Sequence, residues 1–170
     1  MKRLLLLRHA KSSRDNPRLQ DFDRPLAKRG REAAPEIGRL MRTAGWLPEL
    51  VLCSTARRTQ ETAELVLAEL GGNIKVRHLD TLYLAAPEQM LNEIHAVEGK
   101  AGTLLVVAHN PGTALLANHL AASGDKKALQ HLREKYPTAG LAVFEADINS
   151  WSKLDRANLI DFVTPRDIDD

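Results

Sequence analysis

Apolar residues along this chain follow two rhythms. Three short runs are continuous: residues 4–7 (all leucine), 50–53 (Leu-Val-Leu-Cys) and 104–108 (Leu-Leu-Val-Val-Ala). Runs of that length without alternation predict strands buried on both faces, as in a parallel sheet covered by helices. Between them, apolar positions recur at helical spacing. Ala33, Ile37, Leu40 and Met41 form one stripe, in which Pro35 fits only a first turn or a kink. Ala63, Val66, Leu67 and Leu70 form a second, stopped by Gly71-Gly72. Pro87 can open a third helix carrying Met90, Leu91, Ile94 and Val97. Asn110 and Pro111 are placed as N-cap and first residue of a fourth, ahead of Leu115, Leu116 and Leu120. A further strand is predicted over residues 141–146 and a short one around 151–154. Strands alternating with helices predict an α/β fold, a three-layer sandwich around a mostly parallel central sheet. No repeat or long linker interrupts it, so residues 1–170 are expected to form a single domain.

Composition narrows the core and the charge. With 44% hydrophobic but only 4% aromatic residues, the core must be built from Leu, Val, Ile and Ala. The net charge of +2 hides an asymmetry: residues 1–60 hold 14 basic and 6 acidic side chains, and the remainder is net acidic. A basic first third in a near-neutral chain suits a localised anion site better than a nucleic-acid surface. The few aromatic residues form no stacking cluster among the cations, which argues against nucleic acid again. Cys53 is the single cysteine, so no intrachain disulfide is possible and a reducing compartment is expected. Arg8 and His9 end the first apolar run far short of a signal peptide, and no stretch is long enough to span a membrane. A cytoplasmic protein without membrane partners is expected.

The chemistry lies just beyond the three buried strands. Residues 4–7 lead into Arg8-His9, residues 50–53 into Ser54-Thr55-Ala56-Arg57-Arg58, and residues 104–108 into His109-Asn110-Pro111-Gly112. In open α/β sheets ligands bind beyond the carboxyl ends of the strands. Parallel neighbours would therefore bring two histidines and two or three arginines to one crevice. The second and third segments also open helices, whose free N–H groups favour an anion. The set predicts a phosphate site with no metal and no cofactor: there is no His-x-x-x-His pair and no glutamate-rich cluster. A second Arg-His pair, Arg77-His78, follows a charged segment and is read as solvated.

A neutral His9 can attack phosphorus in line and become phosphorylated, flanking guanidiniums keeping it unprotonated; its alternative is a histidine satisfied at a strand end. Arg8 and one of Arg57 and Arg58 can clamp phosphoryl oxygens, since adjacent helical residues cannot both face the crevice. His109 can donate to the phosphoryl group or support the helix cap. Asn110 reads more as a cap than as a substrate contact. His119 reads as core, His95 as lying at the edge of an apolar face, and His131 belongs to the charged segment 126–135.

These residues resemble the histidine phosphatase superfamily, with its phosphoglycerate mutase-like fold. Leu7-Arg8-His9-Ala10-Lys11-Ser12 is similar to the family's Arg-His-Gly motif. Ser54-Thr55-Ala56-Arg57-Arg58-Thr59-Gln60-Glu61-Thr62-Ala63 is similar to its Ser-Pro-x-x-Arg-Ala-x-Gln-Thr-Ala. Val107-Ala108-His109-Asn110-Pro111-Gly112 resembles its second histidine motif. Together with Arg24-Pro25-Leu26-Ala27-Lys28-Arg29-Gly30 and Tyr136-Pro137-Thr138-Ala139-Gly140, the pattern resembles the short SixA-type branch over residues 2–167. The resemblance implies an enzyme, a phosphatase that removes phosphate from phosphohistidine on signalling proteins. It implies His9 as nucleophile, Arg8, Arg58 and His109 around the phosphoryl group, and Ser12 and Asn110 as further phosphate contacts. It also selects Arg58 over Arg57.

Three departures matter. Ala10 stands where the motif has glycine and Thr55 where it has proline, and the first makes the backbone beside His9 less permissive. The third is the carboxylate that phosphomonoester-cleaving members place before the second histidine motif. Residues 77–84 offer only Asp80. An alkoxide leaving group needs a proton, a contribution of about 10²–10⁴-fold, whereas imidazole leaving from phosphohistidine needs it far less. The expected substrate is therefore a phosphohistidine-bearing protein, with Asp80 structural or assisting binding only. The longest candidate loops, 12–23 and 123–127, are too short to lid a small-molecule pocket. The alternative is a small-molecule phosphomonoesterase acting on a small phosphorylated substrate; a non-catalytic phosphate- or phosphoprotein-binding module would not need both histidines. A cysteine phosphatase fails on spacing, because position 59 is Thr59, and Cys53 belongs in a strand as an inert thiol. An aspartyl-phosphate enzyme built on Asp21-Phe22-Asp23 would need a preceding buried strand, and here a polar loop precedes it.

Overall fold

A computed structural model describes residues 1–165; the last five positions, with the ends of the acidic stretch 161–170 and of the resemblance, lie outside the described residues. The chain runs β1 (Lys2–Arg8), α1 (Lys28–Ala44), β2 (Leu50–Ser54), α2 (Arg57–Leu70), β3 (Lys75–Leu79), α3 (Pro87–His95), β4 (Thr103–Ala108), α4 (Gly112–Leu120), β5 (Ala121–Gly124), α5 (Lys126–Glu134), β6 (Leu141–Ala146) and β7 (Ala157–Val163). The strands form one seven-stranded sheet in the order β3-β2-β4-β1-β6-β7-β5. β1, β2, β3 and β4 are parallel, β5 is parallel to β7, and β6 runs against both of its neighbours.

The continuous apolar runs divide between two cores because side chains alternate along a strand. Leu5, Leu7, Val51, Cys53, Leu105 and Val107 pack with Ile37, Met41 and Val66 of α1 and α2. Leu4, Leu6, Leu50, Leu52, Leu104 and Val106 pack on the other face with Met90, Ile94, Leu116, Leu120 and Leu132 of α3, α4 and α5. This is the expected three-layer α/β sandwich.

Several local expectations are corrected. Pro35 lies inside α1, beyond its first turn, because the helix starts at Lys28; the helix forgoes one N–H there. Pro111 sits at the N-cap of α4, not inside it. Asn110 still caps, one position further out, its Oδ1 accepting from Ala114 N at 3.2 Å. His119 is not core: α4 buries Thr113, Leu116, Ala117 and Leu120, leaving His119 exposed beside Asp155 at 3.0 Å and Leu115 53% exposed. The segment around residue 151 is a 3-10 turn, Trp151–Lys153, and the last strand is β7. The charged segment 126–135 forms the helix α5, which buries Ala128 and Leu132, packs Leu129 beside them and is capped by Asp125. Residues 123–127 are accordingly no free loop. Arg77-His78 falls on the exposed edge strand β3, as solvated as expected.

Candidate active site

Register brings the three motifs to one place. Arg8 pairs with Ala108 across β1 and β4, so His9 and His109 leave adjacent strands at the same level. Cys53 pairs with Val107 across β2 and β4, which sets Ser54 beside them. The chain leaves β1 toward α1 on one face and β4 toward α4 on the other, so a crevice opens between the two strands. The His9 and His109 rings face each other there, their centroids 5.4 Å apart.

Each ring has its nitrogens assigned by its neighbours. His9 Nδ1 donates to Ala10 O at 2.7 Å, leaving Nε2 unprotonated and without a partner. Arg58 Nη2 reaches His109 Nδ1 at 3.3 Å, and a guanidinium can only donate, so Nδ1 accepts. The proton of a neutral His109 is then on Nε2, which donates to Ser54 Oγ at 2.8 Å. Both rings are neutral. Burial, with the Arg58 and Arg8 charges adding to it against the Ala10 hydrogen bond, pushes His9 down to about 4. Burial and then Arg58 push His109 down to about 3.

Two arginines in the first turn of a helix oppose its dipole, and α2 resolves this by pairing each of them. Arg57 is exposed and meets Glu61 one turn on, at 3.4 Å. Arg58 is 3% exposed, and its end is held by Asp21: Nη1 donates to Asp21 O at 2.7 Å and Nη2 to Asp21 Oδ2 at 2.9 Å. Arg8 Nη1 donates to Tyr136 O at 3.0 Å, an oxygen shared with Asn110 Nδ2. After these bonds the Nε–H groups of Arg8 and Arg58 remain buried with no partner. Both guanidiniums line one hollow with the unprotonated His9 ring, a set of cationic donors that suits an oxyanion.

The sheet-end loops are tied down from outside. Thr62 Oγ1 accepts from Ala10 N at 3.0 Å and donates to Arg58 O at 2.7 Å, coupling the His9 loop to the Arg58 helix. Ala139, with φ of 59°, turns its N–H onto both Arg8 O and His9 O. Ala10 is not among the left-handed residues, so the missing glycine costs nothing there. A side chain at Gly30 would collide with Lys11 O, so glycine is what lets α1 approach the loop after His9.

Sequence reasoning missed a second layer. The 3-10 turn Asp21–Asp23 carries Asp21 to the site, where Arg24, Arg58 and the Tyr83 hydroxyl all donate to its carboxylate. Partial burial acts to raise the Asp21 pKa. The bonds from Tyr83, Arg58 and Arg24 outweigh it and hold the carboxyl well below the usual range. Arg24 Nη1 continues to Ser12 Oγ at 2.8 Å, so Ser12 lines the site as an arginine partner. Asp80 is turned away, accepting from Thr55 Oγ1 at 2.6 Å, and does not line the pocket. Cys53 is fully buried and its thiol pushed up to about 12 by burial. The hollow over His9 has a volume of about 210 Å³ and is lined by Arg8, His9, Lys11, Ser12, Arg14, Arg24, Arg58, Leu84, His109, Asn110 and Thr138. Among the described residues no cluster could hold a metal ion, and no helix is long and apolar enough to cross a membrane.

Comparison with known proteins agrees with this fold. The family model of the histidine phosphatase superfamily (branch 1) matches residues 4–83. The uncharacterized protein ML1117 of Mycobacterium leprae is 39% identical over 94% of this chain and 100% of its own length. The solved SixA protein of Agrobacterium tumefaciens is 32% identical and superposes with a TM-score of 0.82 over 96% of this chain and 98% of its own. The SixA protein of Nakamurella multipartitia gives 32%, 0.81, and 96% of each chain. The chain belongs to the histidine phosphatase superfamily, in its SixA-type branch.

Proposed function

We propose that this protein is a phosphatase that removes the phosphoryl group from phosphohistidine on another protein, through a phosphorylated His9. The names of the Agrobacterium and Nakamurella neighbours support this reading: both are provisionally assigned as phosphohistidine phosphatases. The observation that carries it is the absence of a proton source. Among the described residues no carboxyl group lines the hollow, Asp21 behind it is held ionised, and both histidines are neutral. An alkoxide could not leave readily from such a site. The imidazole of phosphohistidine can, because its second ring nitrogen takes a proton from solvent beforehand.

In the first step His9 Nε2 forms a bond to phosphorus while the bond to the substrate's ring nitrogen breaks, releasing neutral imidazole. The proton kept on His9 Nδ1 by Ala10 O makes the phosphorylated ring cationic and hence a good leaving group. Water then attacks phosphorus, the P–Nε2 bond breaks, one of the water's protons stays on the phosphate and the other passes to solvent. The orphan Nε donors of Arg8 and Arg58 stabilise the phosphoryl oxygens throughout. His109 accepts from Arg58 through Nδ1 and so holds that guanidinium beside the hollow it lines with His9. Asn110 acts through the Tyr136 carbonyl and the α4 cap.

Rapid quench with ³²P-phosphoimidazole tests the reading. Label should appear on His9, survive base, be lost in acid, and be absent from His9→Ala. Turnover should favour phosphoimidazole strongly over glycerol phosphate; a preference for the alkyl ester would favour a small-molecule phosphomonoesterase, and turnover unaffected by His9→Ala would end the mechanism.

A further inference from the structure

The mouth of the hollow carries more positive charge than one phosphoryl group needs. Among the described residues five cations line it, Arg8, Lys11, Arg14, Arg24 and Arg58, and no carboxylate does. Asp21 behind the lining cancels one of these charges. A bound phosphoryl group brings about two negative charges at neutral pH. Two positive charges are left over, and pairing shows where they are. Arg8 and Arg58 hold the orphan donors at the floor, and Arg24 is buried against Asp21 and Ser12. Lys11 and Arg14 are exposed at the lip and make no ion pair with any described residue. Asp15, next to Arg14 in the chain, neither pairs with it nor lines the hollow.

Leu84 enters the same lip from the segment before α3. It is 55% exposed and has a φ of 49°, a left-handed backbone that a leucine adopts only under constraint. The constraint is visible on both sides. Leu82 and Ala85 are buried, Ala85 N donates to Leu82 O at 3.3 Å, and the Tyr83 hydroxyl is bonded to Asp21. Anchors that fix its neighbours lift one large apolar side chain into solvent beside the catalytic hollow, where strain is characteristically kept for function.

We infer that Lys11, Arg14 and Leu84 dock the polypeptide around the substrate's phosphorylated histidine, selecting a protein segment that carries an acidic and an apolar residue beside it. The inference rests on the phosphohistidine reading above. Its test uses synthetic peptides phosphorylated on a single histidine with phosphoramidate, with phosphoimidazole as the small reference. One peptide carries Glu and Leu beside the histidine, a second Gln for the Glu, and a third Ala for the Leu. At low salt the Glu/Leu peptide should exceed the Gln peptide in kcat/KM by about two- to fivefold, as expected of one exposed carboxylate meeting these cations, and the advantage should vanish in high salt. In the Lys11→Ala/Arg14→Ala double variant the two peptides should be hydrolysed equally. Leu84→Gly should remove the preference for Leu over Ala while raising Tm, because glycine relieves the left-handed backbone. Equal rates for the Glu and Gln peptides in the wild type, or an acidic preference that survives the double variant, overturn the charged contact; an apolar preference unchanged in Leu84→Gly overturns the apolar one. Failure of the wild type to hydrolyse phosphoimidazole is a different result, and overturns the phosphohistidine reading itself.

Discussion

Two buried neutral histidines make this fold sensitive to acid in a window where most proteins are at ease. His9 is 6% exposed and His109 2%, with values pushed from 6.5 down to about 4 and about 3 by burial and then by the arginine charges. Because the native values are depressed, the unfolded chain takes up protons first as the pH falls. The stabilising effect of two neutral rings is therefore complete well above pH 6.5 and drains away between there and about pH 4 for His9 and about pH 3 for His109. At pH 5 an unfolded histidine is almost fully protonated while both native rings are still neutral, so each costs about 2 kcal/mol relative to pH 8. Together that is about 4 kcal/mol, against a typical total of about 5–15 kcal/mol. Between pH 6 and 5 the pair should contribute a slope of about 2.3 kcal/mol per pH unit. Asp21, whose native value is also depressed, loses its contribution only as the pH falls below the ordinary carboxylate range, so measurements above pH 5 isolate the histidines. Urea denaturation at half-unit steps from pH 8 to 5, with the m-value checked for constancy, reads the slope directly. His9→Gln and His109→Gln should each lower it by about 1.2 kcal/mol per pH unit, and the double variant by both amounts. A slope that neither replacement reduces would refute the reasoning that burial keeps these rings neutral.

Other expectations are simpler to test. Arg58→Ala should lower kcat for phosphoimidazole by about 10²–10³-fold, the usual loss for one oxyanion donor. Arg58→Lys should recover little of it, because an ammonium cannot hold Asp21, His109 and a phosphoryl oxygen together. Thr62→Val should destabilise the protein by about 1–3 kcal/mol in urea titrations, since it strands Ala10 N in the interior. Iodoacetamide should leave activity unchanged over hours at pH 7.5, Cys53 being fully buried with its thiol pushed up to about 12; rapid inactivation would show that the strand opens.

What was legible in the sequence depended on whether a signal lay within one element. The strand-end motifs were readable because each comes after a continuous apolar run, and a strand buried on both faces has no other pattern available. Arg58 was separable from Arg57 once the spacing from Ser54 was matched to the family motif. β7 and α5 were not readable. β7 mixes buried and exposed positions without clean alternation, and α5 rests on a few apolar residues among charges. Asp21 and Tyr83 were hidden for a different reason. They meet Arg58 and each other across 37 and 62 positions of chain, and Asp21 stands in a polar loop with no pattern of its own. His109 shows the limit for a residue correctly placed: its position followed from the strand, but its tautomer is set by Arg58 and Ser54, which only the assembled sheet brings to it.

The spare Arg-His pair of β3 has a use after all. β3 ends the sheet with one rank of backbone groups turned to solvent, and such a border invites the border of another molecule. Lys75, Arg77 and His78 stand exposed along it, so a second copy would have to bring cation against cation to extend the sheet. At the opposite border β5 is short and irregular in its pairing, and offers little to copy. Arginine thus has two uses in this sheet, a proposed anion contact at its centre and a charge against edge pairing at its margin, and what separates them is the burial of the strand concerned.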